Sequence, residues 1–113
     1  MQRLTRRQDF LAAAKAVSWG TPGFLFQARD RKDQGVARVG FTCTKKLGNA
    51  VVRNRIKRRL REIVRLSMGP VAKASYDYVL VGRSAAATRD FKKLQADLIS
   101  ATSKIHLQQM EPK

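Results

Sequence analysis

The stretch KKLGNAVVRNRIKRRLRE, residues 45–62, decides how the chain is read. Asn is a weak interior helix residue because its side chain competes for backbone hydrogen bonds. Like charges at helical spacing repel. Selection for stability alone would avoid both, whereas a segment that meets a polyanion accepts them. Gly48 and Asn49 supply an entry, with Asn49 as N-cap, and Gly69-Pro70 a stop. The stretch therefore predicts one helix from Asn49 to about Ser67. At about 100° per residue, Val52, Ile56, Leu60 and Ile63 share one quadrant, and Asn54, Lys57, Arg58, Arg61 and Arg65 lie opposite. Arg55 and Arg59 flank the apolar stripe. Arg53 lies on its other border, where the stem can snorkel. Lys45 and Lys46 precede the helix, where its first amides also favour an anion. Only Glu62 interrupts the positive face, whereas a face kept for solubility mixes signs.

The segments on either side predict the rest of the fold. Residues around Thr5 to Val17 read as a short helix, capped by Thr5 or Asp9, with Phe10, Leu11, Ala14 and Val17 as its stripe. Gly20, Pro22 and Gly23 break it. FLFQAR (24–29) and VARVGFTCT (36–44) alternate as strands, with the polar turn DRKDQG between them, and predict an antiparallel hairpin. Val39, Phe41 and Cys43 share one face, and Arg38, Gly40 and Thr42 the other. YDYVLVG (76–82) is apolar on both faces and predicts a central strand. Phe91, Leu94, Leu98, Ala101 and Ile105 predict a last helix capped by Thr88 or Ser84. The tail from about residue 108 is expected to fray. The order α-β-β-α-β-α makes an α+β fold, a small mixed sheet packed with three helices, in a single domain over 1–113.

The 113 residues suit one core, and 43% hydrophobic content separates the chain from a disordered basic tail. At 7% aromatics, a long base-stacking platform is not expected. Twenty-four Lys and Arg against eight acids give a net charge of +16 and a pI near 11.3. Such charge opposes compaction unless a polyanion offsets it. Nucleic acid is the leading partner and an anionic membrane surface the lesser one. Each phosphate neutralised should add roughly 0.7 to 0.9 to the salt slope, so six contacts give about −4 to −5. No apolar run spans a bilayer, the basic start MQRLTRRQDF lacks an apolar signal core, and Cys43 has no disulfide partner. A cytoplasmic protein is expected.

Chemistry-bearing residues are sparse. The acids Asp9, Asp30, Asp33, Glu62, Asp77, Asp90, Asp97 and Glu111 are scattered, whereas a two-metal nuclease needs converging carboxylates. His106 has no partner histidine or cysteine for a transition metal, and reads as an exposed tail residue. Cys43 reads as a buried thiol. Trp19 is either a core plug or an exposed stacker. Gly48 is either a helix-entry residue or a point of close phosphate approach.

TKKLGNAVVRNRIKRRLRE resembles the signature of the bacterial ribonuclease P protein component, a pattern close to S/T-K-K-x-G-x-A-V-x-R-N-R-x-K-R. RLTRRQDF is similar to the family's start, and YDYVLVGR to the strand after its basic helix. The resemblance implies the protein subunit of a ribonucleoprotein that removes the 5′ leader of precursor tRNA. The RNA subunit is then the catalyst and uses Mg2+. The polypeptide alone would be inactive and would join the RNA 1:1. It would raise substrate affinity and lower the magnesium requirement. The family's fold has a left-handed β-α-β crossover, as in the ribosomal S5 domain 2-like fold. By position, Lys45, Lys46, Asn49, Arg53, Asn54, Arg55, Lys57, Arg58 and Arg61 match the motif and are the expected contacts to the RNA subunit, with Arg65 on the same helix face. Phe10 matches an aromatic of the family's leader cleft. A second aromatic often follows four residues on, where this chain has Ala14. Phe24 and Phe26 would take its place unless they belong to the core. A structural RNA-binding protein, a protein-only nuclease and a DNA-binding helix-turn-helix are the competing readings.

Overall fold

The structure, a computed structural model, describes residues 1–110, with side chains through residue 108. The elements are β1 (Gln2–Arg3), α1 (Arg7–Ala14), β2 (Val17–Gly20), β3 (Phe24–Asp30), β4 (Arg38–Thr42), α2 (Ala50–Ser67), β5 (Tyr76–Gly82) and α3 (Phe91–Met110). Two 3-10 turns, Lys45–Leu47 and Ser84–Ala87, precede α2 and α3. The five strands form one mixed sheet in the order β1-β4-β5-β3-β2. The α+β class and the three helices are as expected, and two short strands are added.

The expected hairpin between β3 and β4 is not formed. β5 lies between them, antiparallel to β3 and parallel to β4. The reason lies in β5 itself. A strand apolar on both faces gains most from the centre of a sheet, and all of its residues except Val81 are buried. Register adds a second cause. Asp77 stands across from Arg29 on one side and Arg38 on the other, which sets opposite charges side by side. The hairpin that does form joins β2 to β3, with Trp19 opposite Phe26. The Thr21 hydroxyl closes its turn by donating to the Phe24 carbonyl (2.8 Å) and accepting from the Phe24 amide (3.1 Å). The parallel pair β4 and β5 is linked through α2, a β-α-β crossover.

α2 and α3 cover one sheet face. There Ile56, Leu60 and Ile63 of α2 and Leu94, Leu98 and Ile105 of α3 bury completely against Phe24, Phe26, Tyr78 and Leu80. α1 covers the other face more sparingly, with Ala13 and Phe10 over Leu4, Val79 and Val81. α1 is shorter than the sequence suggests. It ends at Ala14, and Val17 leaves the helix to pair with Ala28 in the sheet. Neither Thr5 nor Asp9 caps it, since Arg6 holds the N-cap position. Leu11 and Ala14 face solvent, and Ala13 is the residue that buries.

At the other end, α3 is capped by Asp90, which accepts a hydrogen bond from the Lys93 amide (3.2 Å), rather than by Thr88 or Ser84. The helix continues to Met110, so residues 108–110 extend it where fraying was expected, and Glu111, Pro112 and Lys113 lie outside the described residues. That extra length overturns the exposed-tail reading of His106, which is 6% exposed. The imidazole packs edge-on to Tyr76, and its Nε2 meets the Tyr78 hydroxyl at 2.7 Å. The Tyr78 hydroxyl accepts from the Lys73 amide (2.9 Å), which leaves its own hydrogen for His106. Trp19 is a partial core plug, half-buried, with the Lys104 ammonium 5.1 Å from its ring centroid. Cys43 is half-buried, and burial raises its thiol pKa against the opposing pull of Lys57, Arg53 and Arg61.

Candidate nucleic-acid interface

α2 is the element the sequence describes best. Asn49 caps it, its Oδ1 accepting from the Val52 amide at 3.0 Å. Gly48 before it has φ of 137°, in a region that side chains rarely adopt. The helix-entry role of Gly48 is thus required by the backbone itself. The 3-10 turn before it leaves both Lys45 and Lys46 exposed.

Ile56, Leu60, Ile63 and Val64 bury one side of α2, so the remaining residues are forced outward. Asn54, Arg55, Arg58, Arg61 and Arg65 are exposed, and Arg53 and Lys57 are half-buried at the border nearest Cys43. The Arg53 Nε is buried without a hydrogen-bond partner among the described residues. Among the described residues, Lys45, Lys46, Arg53, Arg55, Lys57, Arg58 and Arg61 form no ion pair with a carboxylate. Seven cations therefore lie within one ridge with their charge unbalanced by the protein.

Two arginines of the helix and its N-cap residue are already engaged. Arg59 turns toward the protein, donating to the carbonyls of Ala87 and Arg89, with its guanidinium 5.9 Å from the Phe91 ring centroid. Arg65 pairs with Glu62, Nε to Oε2 at 3.1 Å. This pairing raises the pKa of Arg65 and lowers that of Glu62. Asn49 is present on the ridge, and its side-chain oxygen serves the cap, which leaves its amide hydrogens and one oxygen lone pair for a ligand.

The opposite face of the sheet carries a second feature. Phe10 of α1 lies over Gly40, where an added Cβ would come within 2.6 Å of the ring. Leu25 and Val81, paired across β3 and β5, extend the same half-buried floor. At its end the Arg83 guanidinium donates to the Thr21 carbonyl (2.7 Å). Phe24 and Phe26 do not join this floor. Both are 0% exposed on the α2 and α3 side of the sheet, because strand alternation sends them away from α1. Their expected place in the leader cleft is therefore corrected to a core role.

α1 is fixed to this face through Asp77, which is fully buried. Arg38 donates to both of its oxygens at 2.7 Å, and Arg31 reaches Oδ1 at 2.5 Å. Arg38 also meets Asp9 of α1 at 3.6 Å. Burial alone would raise the Asp77 pKa, but the two guanidinium groups more than offset it and hold the carboxyl below its ordinary value. The sequence did not single out these arginines, nor Arg3 and Phe41 beside Arg61. They converge only through the tertiary fold, which no local pattern announces.

A family model described as Ribonuclease P matches residues 1–106. A protein of Ruegeria pomeroyi named ribonuclease P protein component is 51% identical over 107 residues, covering 91% of this chain and 85% of its own. One of Caulobacter vibrioides with the same name is 46% identical over 101 residues, covering 88% of this chain and 68% of its own. Among solved structures, the RNase P protein of Staphylococcus aureus superposes with a TM-score of 0.74 at 27% identity, over 92% of this chain and 94% of that one. The RNase P protein of Thermotoga maritima gives 0.75 at 27% identity, over 93% and 98%.

Proposed function

This chain belongs to the ribonuclease P protein family, and from that membership we propose a subunit that holds two RNAs on opposite faces of one sheet. The α2 ridge binds the catalytic RNA subunit, with Arg and Lys on phosphates and Asn54 on a ribose or base edge. The leader of precursor tRNA crosses the floor formed by Phe10, Leu25 and Val81. The observation that carries this reading is the ridge of seven cations without a carboxylate partner.

The RNA hydrolyses the phosphodiester, and the protein lowers the magnesium that the reaction needs. A net charge of +16 between two polyanions offsets repulsion that divalent cations would otherwise screen. Among the described residues no three His, Cys, Asp or Glu side chains converge. Asp77, the most buried acid, is already held by two arginines. In this reading the metal belongs with the RNA, and the polypeptide alone is inactive. The complex is 1:1 and works in the cytoplasm. No helix among the described residues is long and apolar enough to cross a membrane.

The test is cleavage of a leader-labelled precursor tRNA at low magnesium. The samples are protein alone, RNA subunit alone, and both. Cleavage at the mature 5′ end in the combined sample only is the expected result. No gain from the protein would leave a structural RNA-binding protein, and cleavage by protein alone would make it a nuclease.

A further inference from the structure

An open groove of about 460 Å³ runs between the β1 edge of the sheet and the second half of α2. Its floor is apolar, formed by Val39, Phe41 and Val64, and its rim is cationic, formed by Arg3, Arg61 and Arg65. The Arg61 guanidinium lies 6.0 Å from the Phe41 ring centroid, so a flat cation and an aromatic ring share one opening. Val39 and Val64 are nearly covered, whereas Phe41 is only half-buried.

We propose that this groove receives one unstacked nucleotide of the RNA bound by α2, its base against Phe41 and Arg61 and its phosphate toward Arg3. The inference rests on the RNA-binding reading of α2. Bases splayed from loops and bulges are held by stacking on aromatic rings and guanidinium planes, and phosphates by the planar arginine fork. The volume falls in the range of about 300 to 1,000 Å³ that small ligands occupy. Charge selects the occupant. Of the three arginines that rim the opening, Arg65 pairs with Glu62, and Arg3 and Arg61 have no carboxylate partner among the described residues. A second copy of a chain carrying +16 would be repelled. Continuity points the same way, since Arg61 belongs both to the α2 ridge and to the groove. A backbone that follows the ridge arrives at the opening.

Gly69 gives access for a test. It lines the groove, and a Cβ built there meets nothing within 4 Å. Gly69→Cys in a Cys43→Ser background would carry an aryl azide into the holoenzyme reconstituted with the RNA subunit. The expected crosslink falls on one or two unpaired nucleotides of that RNA. In parallel, Phe41→Leu keeps an apolar floor and removes the ring. It should weaken RNA-subunit affinity roughly tenfold, the order of one lost base stack, with the salt slope unchanged. Phe41→Tyr should restore the affinity, and thermal melts check that both variants fold. Crosslinks to protein, crosslinks scattered over the RNA, or wild-type affinity in Phe41→Leu would overturn the proposal. If the wild-type chain fails to bind the RNA subunit, the reading of α2 falls with it. If Arg58→Ala weakens binding while Phe41→Leu does not, the groove inference falls alone.

Discussion

The ring of Phe10 rests directly on the backbone of Gly40, with no room for a side chain between helix α1 and strand β4. A methyl at position 40 would meet Phe10 Cε1 and Cζ at 2.6 Å and Leu4 Cβ at 3.0 Å. Gly40→Ala must therefore displace the ring, and with it α1. Overpacking of this kind costs about 1–3 kcal/mol. We expect a lower midpoint in thermal unfolding. We also expect affinity for precursor tRNA to fall more than affinity for the RNA subunit, because α1 and α2 lie on opposite faces. Equal losses on both RNAs would count against a leader site under Phe10.

The positive ridge predicts how binding responds to salt. Arg58→Ala removes one unpaired cation, so the slope of log affinity against log salt should shrink by roughly 0.7 to 0.9. Glu62→Gln should do the reverse. It releases Arg65 from its partner and adds a phosphate-ready charge, which steepens the slope by a similar amount. Filter binding to the RNA subunit across a salt series measures both. A Glu62→Gln protein that binds no better at low salt would show that Arg65 faces away from the RNA.

Asp77→Asn should be the most destabilising single change among the acids. It removes the charge that Arg31 and Arg38 converge on. Breaking a buried pair costs about 3 kcal/mol or more, and the low end applies because Arg38 remains 25% exposed. The folded pKa of Asp77 is depressed. Its contribution is therefore in place above the unfolded value, near 3.9, and is lost as pH falls through the lower folded value. Urea midpoints between neutral pH and about pH 3 should drop for the wild type and stay flatter below pH 4 for Asp77→Asn.

Much of this architecture was legible from local pattern, and the failures share a cause. α2 was readable at both ends because Asn49, Gly48 and Gly69-Pro70 act within a few residues of themselves. The stripe on α3 was readable for the same reason. Alternation correctly placed Phe24 and Phe26 on one strand face, but it carries no information about which helix covers that face. It also cannot name a strand's neighbour, so β3 and β4 read as a hairpin although β5 separates them. β1 and β2, two and four residues long, are too short for any period to register. Within the candidate site, the outward face of α2 was legible because one helical period lines it up. The groups that only the tertiary fold brings together, Arg3 and Arg61 around one groove and Arg31 and Arg38 on Asp77, were not.

His106 predicts a second pH response, in a milder range. Burial lowers its pKa below the ordinary 6.5, Lys73 adds to the effect, and Asp30 opposes it. Tyr76 and Tyr78 complete its surroundings. The unfolded chain therefore takes up the proton first as pH falls. Stability is fully present above about pH 6.5 and declines as pH drops toward the lower folded value. His106→Phe keeps a ring against Tyr76 and removes the proton. Its urea midpoints at about pH 7.5 and pH 5.5 should be nearly equal, whereas those of the wild type should differ. Equal wild-type midpoints would contradict the lowered pKa.

The central position of β5 also governs when this fold can exist. β3 and β4 touch β5 and not each other, so in a chain emerging from the ribosome the two strand pairs β1-β4 and β3-β2 cannot join into one sheet until residue 82 is out. By then the whole of α2 has been made without the joined sheet to pack on, its arginines available to any RNA nearby. Ordered presentation of the ridge is thus a late event in synthesis. The newborn chain must pass through a stage in which it is strongly cationic and unselective.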